Sequence, residues 1–257
     1  MILAIDIGNT NIVIGCIDNE NTYFIERMST KTDHTALEYA IDFKNILELN
    51  SVEPEAIEGG IVSSVVPSIS QTVRRSVEKI TKKRCLLVGP GIKTGLNIRM
   101  DNPATLGSDR VVTAVAGINE YPVPLIVIDM GTATTIDCVD KDGSYIGGVI
   151  MPGVRVSLES LTQRASQLSS ISLEAPKHTI GKNTADCMRS GIIYGSASMI
   201  DGMIDRISHE LGASPTVIAT GGLSGFIIPY CRHKIIYDDS LLLKGLLLIY
   251  NRNTSAH

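Results

Sequence analysis

Two stretches run from an apolar strand pattern into a short glycine turn and back again. They are LAIDIGNTNIVI, Leu3 to Ile14, and IVIDMGTATTID, Ile126 to Asp137. In each, an apolar run reaches an aspartate, then a glycine and small polar residues, before the apolar letters resume. Around the first, the pattern predicts strands at Ile2–Asp6, Asn11–Ile17 and Tyr23–Met28, separated by GNTN and DNEN. Helical spacing follows from Thr35 to Leu49, with Ala36, Leu37, Ala40, Ile41, Ile46 and Leu47 on the apolar side. IEGGIVSSVVP predicts a buried strand ending near Pro67, Ser68 to Thr81 a helix, RCLLVGPG a strand, and Leu106 to Asn119 a helix. The second half repeats the theme with VPLIVIDM, ATTIDCVD and SYIGGVIM, the last two joined by a hairpin turn at Asp140–Gly143. Helices are predicted at Val154–Arg164 and within Thr184–Leu211, strands in TVIATGG and KIIYDD, and a last helix at Leu241–Asn251. The polar stretch Ala165–Asn183 predicts a long loop.

The two motifs begin 123 positions apart (126 − 3), close to half of the 257 residues. That is a duplication of domain size rather than a solenoid repeat. Each half reads as three strands followed by mixed helix and strand. The expected fold is therefore α/β, two similar domains at 1–122 and 123–257, each a mixed sheet flanked by helices.

Composition narrows the chemistry. A 44% apolar chain of this length can bury a sizeable core. A net charge of -4 argues against a basic nucleic-acid surface. Cys16, Cys85, Cys138, Cys187 and Cys231 are scattered without a CxxC, which predicts reduced thiols in a cytoplasmic protein rather than disulfides or zinc. MILAIDIGN meets Asp6 too early for a signal peptide. No apolar run reaches membrane-spanning length; LLLKGLLLIY is interrupted by Lys244 and predicts a buried terminal helix. His34, His178, His209, His233 and His257 lack ligand spacing and are expected at the surface.

The glycine turns carry the candidate chemistry. Glycine lets backbone N–H groups approach an anion, and Thr and Asn add side-chain donors, so each turn suits a phosphate. Neither has a P-loop lysine, so part of the positive charge must come from a divalent cation held by oxygens. Asp6 and Asp129 are placed to hold or orient one. A third turn, ATGGLSG at Ala219–Gly225, can lay bare backbone against a purine. Two features read either way: Ser108-Asp109-Arg110 and Thr184 fit helix N-termini as well as a site, and Gly191 and Gly195 fit packing within the chain as well as a dimer seam.

The ordered set DIGNTN, GPGIKTGLNI, NPATLGSDR (Asn102–Arg110), DMGTATT, GGVIMPG and TGG resembles type III pantothenate kinase. That family belongs to the actin and sugar-kinase superfamily. The resemblance implies duplicated actin-like, ribonuclease H-like domains with the nucleotide in the interdomain cleft. It implies ATP-dependent phosphorylation of pantothenate to 4′-phosphopantothenate, the first step of coenzyme A biosynthesis. By the same resemblance, Asp6, Ile7, Gly8, Asn9, Thr10, Asn11, Ile12 and Val13 form the first ATP-binding motif. Gly131 and Thr132 open the second, which runs to Thr135, and Thr220, Gly221 and Gly222 meet the adenosine. Met100, Gly107, Ser108, Asp109, Arg110 and Thr184 match the pantothenate site, with Asp109 as catalytic base and Arg110 as a charged donor fork. Asp129 matches the ligand of a monovalent cation, K⁺ or NH₄⁺, and Asp6 is a candidate for orienting Mg²⁺ through water. A homodimer is implied, with the substrate near the subunit interface. The chain departs from the family's usual N-P-x-E-V-G-A-D-R at Thr105, Leu106 and Ser108, and has Met100 where a substrate-contacting tyrosine is common. A second reading is a non-enzymatic accessory transcription regulator on the same fold; the intact G-x-D-R core favours the enzyme, and also disfavours a sugar or acetate kinase.

Overall fold

The computed structural model describes residues 1–165 and 168–254. Strand β1 (Ile2–Ile7) is buried along its whole length, and the first sheet is built outward from it. On one side β1 pairs antiparallel with β2 (Asn11–Ile17), which pairs antiparallel with β3 (Thr22–Ser29). On the other it pairs parallel with β4 (Gly60–Ser64), and β4 with β5 (Cys85–Leu87). The order is β3-β2-β1-β4-β5. The near-continuous apolar letters of β1 are those of a strand covered on both faces, and β4 is buried from Gly60 to Ser63 although it ends in two serines.

Helix α1 (Ala36–Leu49) and helix α2 (Pro67–Thr81) make the crossovers. A capping box starts α1: the Glu38 N–H donates to Thr35 Oγ1 at 3.4 Å, and the Thr35 N–H donates to the Glu38 carboxylate at 2.7 Å. Its inward face is Tyr39, Ala40, Phe43 and Leu47, whereas Leu37 and Ile41 are 54% and 50% exposed. This corrects the expected apolar side at Leu37 and Ile41; Ala40 and Leu47 are buried as expected, and Ile46 packs against the core. The helix carries apolar residues most of the way round, and the two rings, which have the most area to bury, take the inside. The Tyr39 hydroxyl fixes that rotation by donating to Lys31 O at 2.6 Å. His34 is half-buried with its ring edge-on to Tyr39, not at the surface as expected.

The second sheet repeats the first. Strand β7 (Leu125–Met130) pairs antiparallel with β8 (Ala133–Val139) and β8 with β9 (Ser144–Pro152). On its other side β7 pairs parallel with β10 (Thr216–Thr220), and β10 with β11 (Ile236–Tyr237). The order β9-β8-β7-β10-β11 matches β3-β2-β1-β4-β5 strand for strand, with one addition: β6 (Asn97–Ile98), unforeseen in the sequence, pairs parallel with β9. Helices α4 (Val154–Arg164), α5 (Thr184–Leu211) and the short α6 (Ser224–Ile227) belong to this half. The described part of the stretch expected to be a loop forms no helix or strand before α5; residues 166 and 167, like His257, lie outside the described residues.

Two compact units result. Residues 1–96, 101–119 and 240–254 form the first, and 97–100 with 120–239 the second. Helix α3 (Ser108–Glu120) contributes to the first, as does α7 (Leu241–Thr254), which a single cut at 122/123 would leave with the second. Leu241, Leu243, Leu246 and Ile249 bury α7 against β1, β2 and β4, so hydrophobic area decides where the end of the chain belongs. All five cysteines are free thiols, and burial pushes Cys16 and Cys85 up to about 12, so they act as small neutral core residues. Leu243 lies across Gly15 of β2, a position where a Cβ would come within 2.3 Å of the leucine. Leu243→Ala is therefore expected to lower unfolding free energy by about 2–5 kcal/mol, read from the urea midpoint. A cost below about 0.5 kcal/mol would show that α7 is not part of that core.

Candidate active site

In the first unit Asp6 lies at the carboxyl end of β1, 8% exposed, in register with Val13 of β2 and Ser63 of β4. The turn after it is closed by the Gly8 N–H, which donates to Asn11 O at 3.0 Å, leaving Asn9 and Thr10 as the loop. Thr30 buttresses this turn from the end of β3: its hydroxyl donates to Gly8 O at 2.7 Å, and its N–H to Thr10 O at 2.9 Å. Asn9, Thr10 and Asn11 are exposed, and Val13 is half-buried. The side chains of Ile7 and Ile12 are in the core. Those two residues hold the turn and have only main chain to offer a ligand.

In the second unit Asp129 of β7 is in register with Thr135 of β8 and Thr220 of β10. Residues opposed in register share a face of the sheet, so a carboxylate and two hydroxyls stand together. The buried Thr135 Oγ1 and Thr134 Oγ1 have no hydrogen-bond partner among the described residues. Hydroxyl and carboxylate oxygens are the donors that suit K⁺, NH₄⁺ or Mg²⁺. Among the described residues no three His, Cys, Asp or Glu side chains cluster as a metal site. An ion here would need further oxygens from hydroxyls, main chain and its ligand.

Two turns close over this face. Gly221 has φ +92, and a Cβ there would sit 2.4 Å from Asp129 Oδ1 and 2.7 Å from Met130 N. Only glycine permits that approach. The Leu223 N–H donates to Met130 O at 3.3 Å, and the Ser224 hydroxyl donates to Thr220 O. The other turn, Gly131-Thr132, is closed by the Gly131 N–H on Ala133 O at 3.0 Å. Gly153, at the end of β9, donates to Thr132 O at 3.1 Å. A side chain at 153 would collide with the carbonyls of both turn residues. Asp129, Gly131, Thr132, Thr220, Gly221 and Gly222 are thus gathered in one unit.

The Gly107-Ser108-Asp109-Arg110 segment opens α3 in the first unit. Ser108 does not cap the helix. The Val111 N–H donates to Gly107 O at 3.2 Å, which puts Gly107 at the cap position. The Ser108 hydroxyl is instead committed to Ser63 and Ser64 of β4. Asp109 Oδ1 accepts the Arg110 N–H at 2.8 Å and folds over Gly107, where a Cβ would lie 2.5 Å from it. Burial raises the Asp109 carboxyl above its ordinary value; the Arg110 N–H and guanidinium pull the other way and do not cancel it. Arg110 is half-buried.

Met100 and Thr184 belong to the second unit. Thr184 is exposed and is not the cap of α5: Asn183 is, accepting the Asp186 N–H at 2.9 Å. Gly191 and Gly195 are exposed, and no described residue comes within packing distance of either position, so the intramolecular reading of that pair is not the one adopted. Thr30, Ser63 and Ser64 escaped the sequence reading because they reach the site through strand register, which local letters do not carry. A cavity of about 510 Å³ at the β5 edge, lined by Arg74, Glu78, Arg84 and Cys85 among others, includes none of the predicted site residues.

The raised Asp109 carboxyl has a signed consequence. With respect to this group the fold is most favourable below the unfolded carboxyl value and loses stability as pH rises through the folded one. Asp109→Asn, which keeps the acceptor for Arg110 N–H, should therefore melt higher than wild type at neutral pH. The gap should close as pH falls toward the ordinary aspartate range. A lower melting temperature at neutral pH would contradict the burial argument.

The profile of the family described as type III pantothenate kinase matches residues 2–206. A type III pantothenate kinase of Exiguobacterium sp. is 45% identical over 253 residues, covering 98% of this chain and 99% of the relative. Among solved structures, a Campylobacter jejuni protein described as a Baf family transcriptional activator superposes with TM-score 0.61 at 20% identity, covering 99% of this chain and 100% of that one. An inorganic polyphosphate/ATP-glucomannokinase from Arthrobacter sp. strain KM does so with TM-score 0.51 at 14% identity, covering 100% and 99%. At such identities the two structures speak for the fold alone, the duplicated actin-like α/β architecture. The sequence matches go further, and by them this chain belongs to the type III pantothenate kinase family.

Proposed function

We propose that this chain transfers the terminal phosphoryl group of ATP to the primary hydroxyl of pantothenate, giving 4′-phosphopantothenate and ADP at the entry to coenzyme A synthesis. The observation that carries the reading is the Asp109 carboxylate: seated over Gly107 at the start of α3, raised by burial, and followed at once by Arg110. A base whose value moves up toward working pH takes a proton more effectively than an ordinary aspartate. Asp109 accepts the proton as the hydroxyl oxygen bonds to phosphorus and the bond to the leaving ADP breaks. Arg110 offers the pantothenate carboxylate a planar pair of donors. Met100, Gly107, Ser108 and Thr184 complete the proposed pantothenate contacts.

The exposed Asn9, Thr10 and Asn11 and the backbone around them, with Gly131 and Thr132, are assigned to the phosphates. Thr220, Gly221 and Gly222 are assigned to the adenosine. Phosphoryl transfer needs alignment and charge neutralisation more than covalent chemistry. Magnesium bound with ATP would supply part of that neutralisation, with Asp6 orienting it through water. Asp129, with the Thr135 hydroxyl beside it in register, would hold a potassium or ammonium ion.

A cytoplasmic setting fits five free thiols and these substrates. Among the described residues no helix is long and apolar enough to cross a membrane. A homodimer fits the open Gly191–Gly195 face of α5, and sedimentation velocity reads it directly. The regulator reading gains nothing from the Campylobacter jejuni likeness, which is one of fold.

The test is purified protein with ATP, magnesium, potassium and pantothenate, followed by product mass. Asp109→Asn should lower kcat by ~10²–10⁴-fold while nucleotide binding survives. Arg110→Ala should act mainly by raising the pantothenate KM. Asp6→Asn should weaken magnesium–ATP use. Wild-type kcat in Asp109→Asn would remove the base assignment. In the same assay, replacing sodium by potassium or ammonium at fixed ionic strength should raise the rate. Screening acts alike for all three salts, so equal rates would reject the ion assigned to Asp129.

A further inference from the structure

The Ser108 hydroxyl uses its whole hydrogen-bonding capacity on one neighbour strand. It donates to Ser64 O at 3.0 Å, accepts the Ser64 N–H at 3.0 Å, and accepts the Ser63 hydroxyl at 2.9 Å. A hydroxyl has one donor and two acceptor sites, so this one is saturated. Ser63 is fully buried. Its strand is the parallel neighbour of β1, with Ser63 in register with Asp6 and Ser64 with Ile7. The Val65 N–H continues the ladder to Ile7 O at 3.0 Å. The first turn of α3 is thereby tied to the strand pair that presents Asp6, all within the first unit.

The residue after this anchor is Asp109. Its carboxylate is held closely: Oδ1 lies over Gly107, where an added Cβ would come within 2.5 Å of it, and takes the Arg110 N–H at 2.8 Å. Its place depends on how the first turn of α3 sits against β4, and the Ser108 hydroxyl fixes that contact. We propose that Ser108, through Ser63 and Ser64, is a positioning residue for the Asp109 carboxylate in the phosphoryl-transfer reaction. The inference rests on the reading of Asp109 as the base. It assigns the Ser108 hydroxyl a positioning role, separate from the pantothenate contact proposed above, which falls to the main chain of that residue.

The experiment is a cycle of Ser108→Ala, Ser63→Ala and the double variant, with Ser108→Thr and Asp109→Asn alongside, each assayed for kcat, both KM values and melting temperature. Ser108→Ala should lower kcat by roughly tenfold, inside the ~10²-fold that a misplacement of about 1 Å can cause. The KM for ATP should stay within about twofold of wild type. Ser63→Ala should lower kcat by about threefold, and the double variant should be no slower than Ser108→Ala, because the bond is already gone. Ser108→Thr, which keeps the hydroxyl, should restore most of kcat. A purely structural serine would change melting temperature and leave kcat in place; wild-type kcat in Ser108→Ala, with Asp109→Asn inactive, overturns this inference alone. If Ser108→Ala does not fold, Ser63→Ala decides: wild-type kcat there overturns the inference, and a lowered kcat with unchanged KM for ATP supports it. Wild-type kcat in Asp109→Asn is the separate result that removes the base reading, and this inference with it.

Discussion

The central strand of each sheet is covered on both faces, so a carboxylate near its carboxyl end loses water that something else must replace. Asp6 at 8% exposure and the half-buried Asp129 both occupy that position. An ionised carboxylate held out of water costs several kcal/mol unless donors or cations meet it. In each unit the chain answers with a hairpin turn immediately after the aspartate, closed by a glycine N–H. The same constraint that makes these residues expensive to fold around makes them receptive to a cation or a phosphate–cation pair.

The glycines follow from it. Gly221 is not a flexible spacer: it lets a third turn come down on Asp129 and Met130 so closely that any side chain would strike the carboxylate or the backbone. Gly153 does the same for the Gly131-Thr132 turn. Gly107 makes room for Asp109. These are places where backbone must approach a charged or carbonyl oxygen, and they gather the acidic groups and the turns into fixed constellations within each unit. Rigid placement of this kind is what phosphoryl transfer requires, since most of its catalysis is alignment and electrostatics.

Much of this was legible in the sequence because it is written locally. The duplicated turn, the aspartates before it, the three-strand opening of each half and a helix over about Leu106–Asn119 all come from neighbouring letters. What escaped was set at a distance. On α1, Ala40 and Leu47 face inward as their spacing implies, but Leu37 and Ile41, apolar as they are, are displaced to the outside by the rings of Tyr39 and Phe43. The last helix belongs with the first unit because its leucines find β1, β2 and β4, and no local pattern encodes that return. At the two helix starts where a cap was one of two readings, the cap lies one position earlier: the Ser108 hydroxyl has its partners on a strand 44 residues away, which leaves Gly107 at the cap, and Asn183 caps α5 ahead of Thr184.

Ser108 also shows how a departure from a family pattern can be read physically. A serine on a helix start is ordinarily assigned to capping, and there it would serve only α3. In this chain its hydroxyl spends every bond on β4, so the helix start and the Asp6-bearing strand pair are held as one piece. A binding protein without chemistry would gain little from fixing a buried, proton-hungry carboxylate so firmly, because the ionised group works against stability at neutral pH. Features that lower stability and are nonetheless over-determined by their surroundings are characteristic of sites where geometry matters to a reaction. Asp109, with a glycine beneath it, an arginine beside it and its neighbouring residue locked to the adjacent strand, is such a feature, and it weighs toward the enzyme over the regulator.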